Sequence, residues 1–134
     1  MTNDQDDDEF VAVAVMLADP DTSSGDAALL AHIDQRAAQL YATPEFDSWW
    51  RDMAASVRER PFPVARIAEW LLYRNIALDR PWKSDHLLRA SVWLQQRVAT
   101  DLPSAEALRI LAEQGRAERI RRIAAGRGAG SADG

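Results

Sequence analysis

The sequence predicts an all-α fold, a compact single-domain bundle of five to seven short helices. Three observations lead there. Apolar residues recur at three- and four-residue spacing in successive segments between residues 9 and 125. Proline-marked breaks separate those segments, at Asp19-Pro20, Thr43-Pro44, Pro61-Phe62-Pro63, Arg80-Pro81 and Leu102-Pro103. Only one stretch, Val11, Val13 and Val15, alternates as a strand would, and no second strand exists to pair with it.

The elements follow in order. Residues 1–8 are polar and acidic without an apolar anchor, and disorder is expected there. Residues 9–18 form the first helix, with Phe10, Val13, Ala14 and Leu17 on one face and acids at the favourable end of the macrodipole. Ser23 and Asp26 resemble a capping box, so the second helix runs from about 26 to 42, with Leu30, Ile33, Ala37, Leu40 and Tyr41 at helical spacing. Thr43 caps the third helix and Pro44 opens it; Phe46, Trp49, Trp50, Met53 and Val57 make its stripe. Pro63 opens a fourth helix that is apolar most of the way round. A fifth starts near Ser84 and carries Leu87, Ser91, Leu94 and Val98. A sixth follows Ser104 with Leu108, Leu111 and Ala112, and Gly115 ends or kinks it. Ile120, Ile123 and Ala124 extend the pattern to residue 125. The tail 126–134 is Gly, Ala and Ser, and disorder is expected again.

Composition narrows the function classes. The chain has 134 residues, a net charge of -5 and no cysteine. Its length suits one domain. Without cysteine there is no disulfide framework, thiol nucleophile or Cys-ligated metal. The longest apolar run, Phe10 to Ala18, is far short of the ~20 residues a spanning helix needs, and acids rather than Lys or Arg precede it. A cytoplasmic protein is expected, with no membrane contact. Fifteen of the sixteen basic residues are arginine. That bias, with abundant alanine, fits a GC-rich bacterial genome, so arginine over lysine carries no argument here.

The charge is unevenly spread. Residues 1–35 hold nine acids and no Lys or Arg, whereas residues 116–127 hold five arginines against Glu118 alone. Charged ends of this kind keep surfaces wet or bind partners. All five tryptophans lie between residues 49 and 93. Trp and Arg dominate interface energetics, and some of the five fall off the main stripe of their helix.

No catalytic constellation emerges. His32 and His86 are 54 residues apart and belong to no metal-ligand spacing. Glu45, Asp47 and Asp52 lie on the polar face of a helix. The acidic run at Asp4 to Asp8 lacks the glycine and terminal Glu of a calcium loop. No phosphate-binding glycine motif occurs. No cofactor and no metal are therefore expected. The segment from Leu108 to Ala124 superficially resembles a helix-turn-helix, but Arg116 stands where an apolar residue is usual.

The resulting expectation is a non-enzymatic helical protein-interaction module, an adaptor or regulator, with an aromatic and arginine surface. Trp70, Tyr73, Trp82, Trp93, Arg119, Arg121 and Arg122 are its expected partner-binding residues. The partner is another protein, a second copy included. The alternative is a nucleic-acid-binding regulator acting through residues 104–125.

Overall fold

A computed structural model describes residues 3–133, with side chains from 8 to 128. The fold is all-α: among the described residues there are eight helices and no strand. They are α1 (Asn3–Leu17), α2 (Thr22–Leu40), α3 (Glu45–Ser56), α4 (Pro61–Ala77), α5 (Ser84–Arg89), α6 (Val92–Asp101), α7 (Ala105–Gln114) and α8 (Glu118–Asp133). The chain divides into two units, and the division falls inside α4, between Trp70 and Leu71.

In the first unit α1, α2 and α3 pack on one another. Its core is built from Val13, Leu29, Ile33, Phe46, Trp49, Met53 and Trp70. Gly25 lets α2 approach α1 closely: a Cβ there would lie 2.6 Å from the Met16 carbonyl oxygen. In the second unit α8 lies against α6 and α7, and α5 against α7. Leu87, Leu94, Val98, Leu108, Leu111 and Ile120 form its core. Gly115 plays the matching part, since a Cβ would stand 2.7 Å from the Leu111 carbonyl oxygen and 2.9 Å from Ile120 Cγ2.

Several helix boundaries differ from expectation, each for a local reason. α2 begins four residues early because Asp21 is its cap. The Asp21 carboxylate accepts from the backbone N–H of Ser23 and Ser24 and from the Ser24 hydroxyl. Thr43 does not cap α3; its hydroxyl donates to the Leu40 carbonyl and closes α2. α3 then starts after Pro44 with no side-chain cap. Pro61 rather than Pro63 opens α4. That helix ends in a Schellman arrangement: Arg80 N–H donates to Asn75 O, Asp79 N–H to Ile76 O, and Asp79 adopts a left-handed φ of 57°.

The expected fifth helix is two helices, which brings the count above seven. Ala90 and Ser91 are both extended, and the Ser91 hydroxyl caps α6 by accepting from Leu94 N–H. The break is satisfied from inside by Gln95, which is fully buried. Its amide donates to the Leu87 and Leu88 carbonyls and accepts from the Arg116 backbone N–H. A buried amide that meets its partners in this way satisfies carbonyls at the end of α5.

At the ends, α1 begins at Asn3, inside the acidic stretch expected to be disordered, and α8 continues to Asp133 through the Gly/Ala/Ser segment. Residues 1, 2 and 134, which belong to those same expectations, lie outside the described residues. No helix among the described residues is long and apolar enough to cross a membrane.

Candidate interaction surface

The expected aromatic and arginine set does not form one surface. Trp70 is 0% exposed and Tyr73 only 4%. This corrects their expected place at an interface. Trp70 is buried because its indole N–H finds an acceptor: it donates to Asp34 Oδ1 at 2.9 Å, and its ring lies 6.5 Å from that of Tyr41. Tyr73 faces the Arg97 guanidinium, which sits 5.7 Å from the ring centroids of both Tyr73 and Trp93. Trp82 and Trp93 are half-buried. Arg119 and Arg122 are exposed, and Arg122 pairs with Glu118 one turn away. Arg121 is half-buried and donates to the Gly115 carbonyl at 2.7 Å.

Arg121 illustrates a pattern that recurs along the chain. Four arginines close the C-terminal ends of helices other than their own. Arg60 donates to Leu17 O at the end of α1. Arg116 donates to Arg89 O at the end of α5. Arg127 donates to Ala99 O and Leu102 O at the end of α6, and Arg121 to Gly115 O after α7. The last carbonyls of a helix lack intrahelical partners and carry the negative end of its dipole, so a long cationic fork suits them. Three of the five arginines after residue 115 are engaged in this way. Arg119 and Arg122 are left pointing outward.

A second pattern involves buried carboxylates. Glu9 lies on the inner face of α1 with its side chain 5% exposed. One carboxylate oxygen, Oε2, accepts from three donors: His32 Nε2 at 2.7 Å, Arg36 Nε at 3.1 Å and Trp49 Nε1 at 3.1 Å. His32 and Arg36 are four residues apart on α2, hence on one face, and Trp49 comes from α3. One acid thus ties three helices. Its other oxygen, Oε1, is buried without a hydrogen-bond partner. Asp34 repeats the chemistry with Trp70 and Arg66. In both places an indole N–H and an arginine converge on one carboxylate.

The sequence offered only a faint signal for these clusters. His32 and Arg36 share a helix face, and Glu9 opens an apolar run. Nothing in the sequence connects the two across 23 residues. His86, by contrast, is exposed on α5. Among the described residues no three His, Asp or Glu side chains gather as a metal site requires.

The outer face of α1 is the feature that polar chemistry does not explain. Val11 is 64% exposed and Val15 68%. Ala14 and Ala18 are exposed as well. These four occupy positions i, i+3, i+4 and i+7, so they form one continuous row. The opposite face presents Glu9 and Val13 to the core. At the start of α4, Phe62 and Val64 are exposed as well. Arg60, which precedes α4, donates to Leu17 O at the end of α1 and to Asp26 on α2. No protein-family model, no curated protein and no solved structure matches the chain.

Proposed function

We propose that the chain is a non-enzymatic helical interaction module, an adaptor or regulator, and that its main recognition element is α1. The observation that carries this reading is the row Val11, Ala14, Val15 and Ala18, an exposed apolar stripe of about two turns at the C-terminal half of α1. A helix apolar on both faces ordinarily has a neighbour on both. Recognition by such a stripe follows the helix-in-groove or helix-on-helix mode, with anchors at i, i+3, i+4 and i+7. Of the aromatic and arginine set, Arg119 and Arg122 are exposed and Trp82 and Trp93 half-buried, all on the other unit.

The test is capture from host lysate by wild type and by a Val11→Glu, Val15→Glu variant, each with and without nuclease. Both positions are solvent-exposed, so the variant keeps its helical circular dichroism. A protein retained by wild type through nuclease and absent from the variant supports the module. Equal capture by both removes α1 from the reading.

A second reading, a nucleic-acid-binding regulator acting through residues 104–125, is favoured by one observation. The unit from Leu71 onward holds eleven basic against seven acidic side chains, whereas the preceding unit holds five against fourteen. Against it stand Arg116, Arg121 and Arg127, whose guanidinium groups are held on backbone carbonyls. Duplex binding that falls in an Arg119→Glu, Arg122→Glu variant, with a shallower salt dependence, would favour it. Duplex binding unchanged by both substitutions would not.

A further inference from the structure

We infer that the partner of the α1 row is a basic amphipathic helix of another protein; this rests on the interaction-module reading above and names the occupant of the same face. The geometry sets the apolar half of the match. Val11, Ala14, Val15 and Ala18 form a row of small and β-branched side chains, with the half-buried Phe10 one turn before Ala14. Such a row admits a helix lying alongside it at close approach, and its anchors repeat every three or four residues.

Charge sets the other half. The charged residues that flank the row in the sequence, before and after it, are acids. Asp8 and Asp21 are exposed at its two ends, and Asp4, Asp6 and Asp7 precede it in the sequence. No Lys or Arg occurs before Arg36, and Arg36 is engaged by Glu9 on the inner side. Arg60, which reaches the end of α1 at Leu17 O, is neutralised by Asp26. A partner helix whose apolar stripe has Lys or Arg at its two ends therefore meets opposite charge at both ends of the row, while the stretch between, residues 10–18, is uncharged. An acidic partner meets like charge, which is disfavoured both in approach and in register.

A second copy of this chain fits less well by the same argument. Laying one α1 on another brings together two units that each hold fourteen acids against five bases. Anionic lipid is opposed for the same reason.

The test is a display selection of short helical peptides with randomised apolar register and randomised flanking charge, carried out on the full chain. Counter-selection uses the Val11→Glu, Val15→Glu variant, and a milder Val11→Thr, Val15→Thr variant guards against a general folding defect. The expected result is enrichment of peptides with apolar residues at i, i+3, i+4 and i+7 and a clear excess of Lys and Arg. Their binding weakens about tenfold or more from low to physiological salt, as screened charge pairs do. It falls further in both variants.

Enriched peptides that lose binding in both variants but carry no basic excess overturn the inference and leave the module reading standing. Peptides that bind wild type and both variants alike, or no enrichment at all, overturn both. Light scattering provides the remaining arm. A dimer that dissociates in the Val11→Glu, Val15→Glu variant assigns the row to a second copy and overturns the basic-partner inference.

Discussion

Truncating Glu9 to alanine removes the acceptor that three donors share. His32 and Arg36 each keep an edge in water, so their donors find solvent and their loss is small. Trp49 differs. It is buried, and its Nε1 donates only 3.1 Å to Glu9. A buried donor left without an acceptor costs ~1–3 kcal/mol. Adding the one methylene, Cγ, that leaves the α1–α2 contact, at about 0.8 kcal/mol, brings the total to roughly 2–4 kcal/mol. Recovered desolvation of the carboxylate works the other way and holds the figure below the ~3–5 kcal/mol typical of breaking a fully buried pair. Urea unfolding followed by Trp fluorescence and by circular dichroism measures this. A Trp49→Phe background isolates the indole: there the alanine substitution costs less, because no N–H is stranded. A Glu9→Ala variant within about 0.5 kcal/mol of wild type would refute the reasoning, since it would mean that the three donors do not depend on the carboxylate.

Three further outcomes are expected. Gly115→Ala places a methyl against a backbone carbonyl and buried Ile120, neither of which yields easily, so stability falls by ~1–3 kcal/mol in chemical denaturation. Arg127→Met strips the end of α6 of two accepted hydrogen bonds and lowers stability by ~1 kcal/mol, whereas Arg119→Met, on an exposed residue, changes it by less than about 0.5 kcal/mol. Asp21 has its carboxyl held below the ordinary value of 3.8, first by the Ser24 hydroxyl and then by the backbone N–H groups of the helix start. A depressed folded-state value means that the cap stabilises above the unfolded value and fades as pH falls through the folded one. An Asp21→Ala variant is therefore less stable than wild type at neutral pH, and the gap narrows in acid titration below about pH 3.8.

Helix content was legible in the sequence because it depends on local spacing. The row Leu30, Ile33 and Ala37 declares α2, and Phe46, Trp49 and Met53 declare α3, whatever surrounds them. Boundaries were less legible because several side chains can cap the same turn. Asp21, Ser23 and Ser24 all had the chemistry to start α2, and only the folded backbone selects Asp21. The break at Ser91 was hidden because Ser91 falls on the Leu87–Leu94–Val98 line, and its satisfaction depends on Gln95 and on Arg116, which lies 21 residues further on. Burial of Trp70 was illegible for the same reason. Its position off the main stripe of α4 suggested exposure, but Asp34 supplies an acceptor from 36 residues away. The arginines after Gly115 carried a signal of charge, not of purpose, and three of them serve helix ends. On α1 the spacing gave the face Phe10, Val13, Ala14 and Leu17, of which Val13 is buried but Ala14 exposed; periodicity alone does not say which face turns inward.

That last ambiguity gives Glu9 its significance. α1 is apolar on two faces, Val13 inward and Val11 with Val15 outward, so burial alone discriminates weakly between them. Glu9 breaks the tie. Rotating α1 to bury Val11 and Val15 would carry the carboxylate away from His32, Arg36 and Trp49 together. A buried polar group of this kind selects one arrangement even where an apolar residue would be equally stable. Glu9→Leu separates the two effects. Leucine fills the site without a carboxylate, so denaturation returns much of what alanine loses, but nothing then favours one face of α1 over the other. The expected outcome is a variant nearer wild type than Glu9→Ala in denaturation, with broadened amide resonances across α1 and weaker binding of the peptides that select on Val11 and Val15. A Glu9→Leu chain with sharp α1 resonances and undiminished peptide binding would show that packing alone chooses the exposed face, and that the carboxylate has no part in presenting it.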